Sequence, residues 1–161
     1  MKRVIPIAKP VFDREEFEAV REVLESGWLM NGPKVREFEE KFAGYCGAKF
    51  GIAVNSGTSA LHIALLALGI GPGDEVITTP FSFVASADCI RLVDAKPVFV
   101  DIDSSTYNLD VEKIEDAVSD RTKGIVVVHL YGLSVDMDPV LEVAEKYGLF
   151  VVEDAAQAHG G

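Results

Sequence analysis

The sequence is poor in the residues that build disulfides and metal centres. It has two cysteines and three histidines among 161 residues. Cys46 and Cys89 lie far apart in no metal-ligand spacing, so we expect both to be reduced and buried, as in a cytosolic protein. His62, His129 and His159 share no ligand spacing either, and we interpret all three as structural. The sequence therefore predicts no metal site.

Positive charge and long hydrophobic runs are also scarce. Lys and Arg together number 15 against 26 Asp and Glu, which gives a net charge of −11. An acidic chain is a poor partner for nucleic acid or for an anionic membrane. No signal-peptide or transmembrane run is visible, and we expect a cytoplasmic location. What remains is a globular composition, 48% hydrophobic, with a length that suits one domain.

Hydrophobic periodicity predicts two helices at the amino terminus, over residues 13–26 and 34–46. Asp13 and Glu16 have the spacing of a capping box at the start of the first helix, which carries an apolar stripe. Phe38 and Phe42 of the second helix are expected to face inward. The loop between the helices holds the only tryptophan, Trp28. Its ring either marks a contact surface or packs on its own helix.

Beyond residue 48, five short apolar runs alternate with four helical patterns, which is typical of a parallel sheet with flanking helices. The strands are expected over residues 50–54, 75–78, 97–101, 124–128 and 150–152. The helices are expected over residues 58–68, 82–92, 110–118 and 139–147, with Ser82 capping the second and Asp138 the fourth. The sequence therefore predicts an α/β fold with a mostly parallel sheet, and a division into segments 1–48 and 49–161.

The turn after the first expected strand is a candidate phosphate cradle. It contains Gly57, Thr58 and Ser59 and opens a helix, whose free amides and dipole attract anions. Any capped helix start has a similar sequence, so this motif alone has low specificity. It is not a Walker loop, because no lysine follows the glycine in the required place.

Two further candidates follow later strands, at the edge where open α/β sheets bind ligands. Phe83 could stack on a planar ligand, or it could lie in the core together with Phe81. Asp154 could meet a ring nitrogen, a metal or a hydroxyl, or it could cap a following helix. A ligand with a phosphate, an aromatic ring and a basic ring nitrogen would fit the cradle, the ring and the carboxylate. Pyridoxal phosphate is such a ligand.

Five segments, in order, resemble the DegT/DnrJ/EryC1/StrS family of pyridoxal-phosphate-dependent nucleotide-sugar aminotransferases of fold type I. They are NSGTSALHIAL (55–65), GPGDEVI (71–77), PVFVDID (97–103), VHLYG (128–132) and VEDAAQAHG (152–160). The openings IPIAKP (5–10) and SGWLMNGP (26–33) are similar to the amino terminus of that family. The resemblance covers essentially the whole chain.

The resemblance implies that the chain is the amino-terminal part of the large domain of such an enzyme. The enzyme would move an amino group from an amino acid, with glutamate the expected donor, onto a nucleotide-linked keto sugar, and it would be a homodimer. The loop around Trp28 would lie near the substrate at a dimer interface. The implied cofactor contacts are the phosphate with Gly57, Thr58 and Ser59, the ring with Phe83, the pyridine nitrogen with Asp154 and the 3-oxygen with Gln157.

The chain also departs from the family pattern. Family members are more than twice as long, and their Schiff-base lysine lies downstream of the stretch around Asp154, beyond Gly161. We therefore expect no catalytic residue in this chain, no amino transfer by it alone, and poor support for the strand at 50–54. Two alternatives are a sugar dehydratase of the same family, in which histidine replaces the lysine, and a non-enzymatic fragment.

Overall fold

A computed structural model describes residues 5–6 and 9–160, and the opening segment 5–10 therefore lies partly outside the described residues. The chain divides into two compact units, Met1–Ala53 and Val54–Gly161. The division expected from the sequence was placed after residue 48, and its functional content stays a prediction. No helix in the described part is long and apolar enough to span a membrane.

The first unit contains two helices, α1 (Arg14–Ser26) and α2 (Pro33–Tyr45). The expected capping box is present: the Asp13 side chain accepts from the Glu15 amide at 2.9 Å, and the Glu16 side chain accepts from the Asp13 amide at 2.8 Å. The apolar stripe of α1 lies on the surface, with Phe17 68% exposed. Two expectations are wrong here. Phe38 is largely exposed, and Cys46 is exposed because it follows the last turn of α2 on the surface.

The expected strand at residues 50–54 does not form. Phe50 and Ile52 are exposed, and the described residues offer this run no neighbouring strand. An extended segment becomes a stable strand only when a neighbour pairs with its amides and carbonyls. The Ala53 amide instead donates to Glu39 Oε1 at 2.8 Å. The apolar run alone therefore did not determine a strand.

The second unit is built on a four-stranded sheet. Its strands are β1 (Glu75–Thr78), β2 (Lys96–Phe99), β3 (Thr122–Val128) and β4 (Phe150–Asp154), in the spatial order β2-β1-β3-β4. Every pair of neighbours is parallel. The predicted parallel sheet is confirmed, and all four carboxyl ends point to one edge.

Helices cover both faces of this sheet. The helices are α3 (Gly57–Ala67), α4 (Ala85–Leu92) and α5 (Met137–Tyr147). Successive strand residues point to opposite faces, so Val76 and Val126 join the core cluster that includes α3 and α4. Ile77 and Ile125 join the second cluster, which includes Val140 of α5. These buried strands explain the nearly continuous apolar runs in the sequence.

Three expectations about helices in this unit are wrong. Residues 110–118 form two 3₁₀ turns, Val111–Lys113 and Glu115–Ala117, closed by i→i+3 bonds that suit such short pieces. Ser82 does not cap α4, which begins at Ala85; its hydroxyl lies 3.0 Å from that of Ser86. The N-cap residue of α5 is Asp136 and not Asp138. Pro139 did not fix the start of the helix, because the amides of the whole first turn lack helical partners and a proline fits at any of these positions.

A buried carboxylate ties together the amino ends of three strands. Glu75 is 4% exposed, and it accepts from Ser119 Oγ at 2.6 Å, from Lys96 Nζ at 3.0 Å and from Arg121 Nη2 at 2.6 Å. The Ser119 hydrogen bond, followed by the one from Lys96, lowers the pKa of Glu75 from its ordinary value of 4.5. The charge of Glu75 is therefore matched within its own chain.

Candidate functional site

A cavity of about 230 Å³ opens at the carboxyl ends of β3 and β4, within the second unit. It receives residues from the start of α3, from the loop that follows β1, and from the two turns that follow β3 and β4. The residues that line it are Gly57, Thr58, Leu61, Ser82, Phe83, Ala85, Val128, His129, Leu130, Asp154, Ala156 and Gln157. Five of the six candidate cofactor residues are among them, and Ser59 is not.

The first turn of α3 explains the difference between Ser59 and its neighbours. Ser56 is the N-cap residue: its hydroxyl oxygen accepts from the Ser59 amide at 3.1 Å, and its hydroxyl group lies 3.0 Å from Ser59 Oγ. The cap therefore uses the Ser59 amide. The amides of Gly57 and Thr58 lie in the first turn and have no partner within the helix. A Cβ atom on Gly57 would meet no atom within 4 Å. The helix end thus presents open backbone to the cavity.

Asp154 is the last residue of β4 and is half-buried. Its Oδ2 accepts from Ser86 Oγ at 2.8 Å, and its Oδ1 accepts from the Ala156 amide at 3.3 Å. Residues 155–160 form turns, so Asp154 holds a turn and does not cap a helix. Each oxygen retains lone-pair capacity for a further donor.

The two phenylalanines after β1 do not lie in the core. Phe81 is 44% and Phe83 74% exposed. The Phe81 ring centroid is 6.0 Å from that of Tyr107, whereas Phe83 lines the cavity. The core interpretation is therefore wrong, and an aromatic face remains available for a planar ligand.

The orientation of the Gln157 amide is set by its neighbour. Gln157 Oε1 accepts from the backbone amide of Tyr131 at 2.8 Å. This assignment leaves Nε2, which carries the two amide protons, as the donor end of the side chain. Gln157 can therefore serve a ligand oxygen.

The turn that carries the Tyr131 amide is anchored by buried polar side chains. Tyr131 has a left-handed backbone, with φ of 55°. Asn108, 3% exposed, accepts from the Leu130 amide at 3.0 Å. His129 accepts through Nδ1 from the Val135 amide at 3.1 Å, so that its Nε2 donates to Glu153 at 2.9 Å. Both ring nitrogens of His129 are thus engaged, in agreement with a structural role.

Sequence reasoning missed Ser82, Ser86 and Asn108 as parts of this site. Ser82 precedes α4 and Ser86 lies in its first turn, so neither residue carried a local signal for a connection to Asp154. Asn108 carried no local signal, because it reaches the turn at Leu130 across the fold.

Trp28 lies in the first unit and is 61% exposed. Its amide donates to Ser26 Oγ at 3.1 Å. A Cβ atom on Gly32 would stand 2.5 Å from the indole ring, so the loop conformation requires glycine there. The substrate role of this loop stays a prediction.

The fold is a parallel sheet flanked by helices. At the carboxyl edge of the sheet lie a helix amino terminus that suits an anion, an aromatic ring and a carboxylate, an arrangement typical of a ligand-binding α/β protein. The chain belongs to the DegT/DnrJ/EryC1/StrS aminotransferase family, whose model matches residues 10–161.

Curated relatives support the same family. The spore coat polysaccharide biosynthesis protein SpsC of Bacillus subtilis is 54% identical over 96% of this chain and 40% of its own length. GDP-perosamine synthase of Caulobacter vibrioides is 50% identical over 97% and 42%. UDP-4-amino-4-deoxy-L-arabinose–oxoglutarate aminotransferase of Shewanella sediminis is 44% identical over 97% and 40%. The chain thus spans about two fifths of the length of the relatives it matches.

Solved structures agree with the fold. An aminotransferase from Psychrobacter cryohalolentis matches with a TM-score of 0.92 and 46% identity, over 96% of this chain and 40% of that one. The PLP form of Spr1654 from Streptococcus pneumoniae matches with a TM-score of 0.92 and 34% identity, over 97% and 44%. The predicted fold-type I class is confirmed.

Proposed function

We propose that this chain forms the cofactor-binding part of a pyridoxal-phosphate-dependent aminotransferase that acts on a nucleotide-linked keto sugar. The observation that carries the proposal is that one cavity brings together the amino end of α3, the exposed ring of Phe83 and the half-buried carboxylate of Asp154. The name of the Caulobacter relative, GDP-perosamine synthase, supports the assignment of a nucleotide-linked sugar. The Shewanella relative, an oxoglutarate aminotransferase, supports glutamate as the donor. The longer protein to which the chain would belong is called the parent enzyme below.

The residues of the cavity fit the cofactor. The phosphate would meet the first-turn amides of Gly57 and Thr58, and Gly57 has no Cβ atom that could limit its approach. Phe83 offers a face for the ring. Gln157 offers an amide donor, already oriented by the Tyr131 backbone, for the ring's 3-oxygen. Ser59 does not line the cavity and its amide serves the cap, so only its hydroxyl is left for the phosphate contact that the resemblance implies.

When bound, pyridoxal phosphate supplies an electron sink for the carbanion that forms on substrate deprotonation. The part of Asp154 is to hold a proton at the ring nitrogen, because a nearby carboxylate favours the positively charged form of a base. The helix end binds the phosphate separately, so affinity and chemistry depend on different residues. Phe83 would lie against one face of the ring.

The described residues that line the cavity include no lysine. Amino transfer of this type needs a lysine amine as nucleophile and proton shuttle. We therefore expect the 161-residue chain alone to carry out no amino transfer. Incubation with pyridoxal phosphate, reduction with borohydride and peptide mapping should show scattered labelling of surface lysines. One stoichiometrically labelled lysine, together with amino transfer from glutamate, would contradict this expectation.

The parent enzyme is expected to be a homodimer in which segment 1–48 provides a substrate loop around Trp28 and segment 49–161 provides the cofactor domain. The exposed apolar stripe of α1 supports burial against further protein surface. Sedimentation analysis tests the dimer, and Trp28→Ala tests the loop: it should raise KM for the sugar and leave cofactor affinity unchanged.

The decisive experiment for the proposed function is amino transfer from glutamate to keto-sugar nucleotides by the parent enzyme. Turnover with at least one keto sugar is the expected result. Turnover with simple keto acids but with no keto sugar would refute the substrate assignment. Failure to bind pyridoxal phosphate would refute the cofactor assignment as well.

A further inference from the structure

Ser86 is a buried hydroxyl that reaches the candidate site from a distant part of the sequence. It lies in the first turn of α4 and is 1% exposed. Its Oγ stands 2.8 Å from Oδ2 of Asp154, which is 68 positions later in the chain. It does not line the cavity itself, so any influence on a ligand acts through Asp154.

The direction of the hydrogen bonds follows from the charge of Asp154. An ionised carboxylate only accepts, so Ser86 must donate its one proton to Oδ2. Ser82 Oγ lies 3.0 Å from Ser86 Oγ, and it must then be the donor in that pair. The result is a directed chain from Ser82 through Ser86 to Asp154, called the serine relay below.

The relay fixes the orientation of the carboxylate. The Ala156 amide holds Oδ1 while Ser86 holds Oδ2, so rotation of the carboxylate would break at least one hydrogen bond. Hydroxyl chains polarise each other, and a bond to a charged acceptor is stronger than a neutral one. Because Ser86 is buried, water cannot replace it without a rearrangement of α4.

We infer that Ser86 is a positioning residue for Asp154, and that the serine relay sets how strongly Asp154 keeps a proton on the cofactor's ring nitrogen. The inference rests on the proposed function. Ser86 touches neither cofactor nor substrate. Its effect is to hold the carboxylate in one orientation before the ligand arrives, so that no reorganisation is needed when positive charge is placed beside it.

The test uses the parent enzyme loaded with pyridoxal phosphate that is ¹⁵N-labelled in its ring. The ¹⁵N signal reports the protonation of the ring nitrogen as the pH is raised. Ser86→Ala removes the donor at little cost in volume and is expected to lower the midpoint by about one pH unit. It should lower kcat about tenfold and leave KM for the keto sugar within about twofold of wild type.

Two variants serve as controls. Ser86→Thr keeps a hydroxyl and is expected to restore both the midpoint and kcat. Ser82→Ala leaves Ser86 in place and removes the donor to its hydroxyl, so a smaller shift in the same direction is expected. Thermal unfolding of each variant checks that the fold is retained. A residue with a purely structural role would change the unfolding temperature without moving the ring-nitrogen midpoint.

The outcomes separate this inference from the proposed function. If the wild-type enzyme binds the cofactor and the Ser86→Ala midpoint stays at the wild-type value, the positioning role is refuted and the proposed function stands. The same conclusion follows if Ser82→Ala shifts the midpoint and Ser86→Ala does not. Failure of the wild-type enzyme to bind pyridoxal phosphate would overturn both.

Discussion

Replacing Asp154 by asparagine in the parent enzyme removes one negative charge from the candidate site and keeps the shape of the side chain. The native carboxylate accepts two hydrogen bonds, one from Ser86 and one from the Ala156 amide. An asparagine can keep its oxygen on the Ala156 amide and turn its amino group toward Ser86. Ser86 would then accept and donate its own proton to Ser82, so the serine relay reverses and no buried group is left unpaired.

This reversal makes asparagine a cleaner probe than alanine. Asp154→Ala would remove the acceptor of both the Ser86 hydroxyl and the Ala156 amide, so both groups would have to find new partners. We expect Asp154→Ala to nearly abolish turnover while the phosphate cradle keeps part of the cofactor affinity. Its loss of activity would combine lost charge with local rearrangement, whereas the asparagine variant reports the charge.

The magnitude follows from the charge that is removed. Two unit charges about 4 Å apart interact with about 4 kcal/mol at an effective dielectric constant of about 20, a value that suits a half-buried group. If this interaction supports the step in which the ring takes up electrons, its loss lowers kcat about a thousandfold. Part of the loss is offset, because the asparagine can still form a neutral hydrogen bond.

Single-turnover kinetics, with cofactor affinity measured by absorbance titration, test the prediction. We expect a loss of kcat of between about tenfold and a thousandfold, with cofactor affinity changed much less. Asp120→Asn, which removes the same charge from an exposed turn before β3, is the matched control and should behave as wild type. Retention of most of the activity by Asp154→Asn would refute the ionic role of Asp154.

Three further predictions follow from other contacts. Gln157→Glu keeps the acceptor for the Tyr131 amide but loses the donor, and it should weaken pyridoxal phosphate binding about tenfold in an absorbance titration. The native pKa of Glu75 is lowered below 4.5, so ionised Glu75 stabilises the fold above pH 4.5, and this stabilisation is lost as the pH falls through the native pKa. The urea unfolding midpoints of wild type and Glu75→Gln should therefore converge as the pH falls through the native pKa. Burial raises the pKa of Cys89 to about 11, so this thiol should not react in the native chain at pH 8. Peptide mass spectrometry should show that a thiol reagent labels exposed Cys46 in the native chain and labels Cys89 only in urea.

The central strands β1 and β3 could be predicted because a parallel strand that is buried on both faces carries a nearly continuous apolar run. Strand β4 lies at the edge of the sheet and is only partly buried. It begins at Phe150 as the sequence predicts, and it continues to Asp154 because the backbone ladder accepts polar side chains at its end. The run at residues 50–54 has the same apolar character and forms no strand. Pairing depends on a neighbour in space, and the run itself carries no information about that neighbour.

The candidate site shows the same division between local and distant causes. Phe83 and Asp154 could be placed at one edge because the carboxyl ends of parallel strands share it. Asn108 and Ser86 could not, since the hydrogen-bond partner of each is far away in the sequence. The failure of the core interpretation of Phe83 has a local cause: α4 begins two residues later, and the loop before it carries the ring to the surface.

The two ends of the sheet differ in how their polar groups are satisfied. At the amino ends, the Glu75 carboxylate receives a hydroxyl, a lysine and an arginine, so its charge is balanced by two cations of its own chain. At the carboxyl ends, Asp154 and Gln157 are oriented by donors from their own chain, yet both side chains can form further hydrogen bonds. Among the described residues, no cation pairs with Asp154. A carboxylate that is held in one orientation but not neutralised lowers the stability of the fold. What it provides in return is a preformed binding site for a positive charge. This asymmetry, more than burial or cavity size, supports the assignment of a cationic ring to the carboxyl edge.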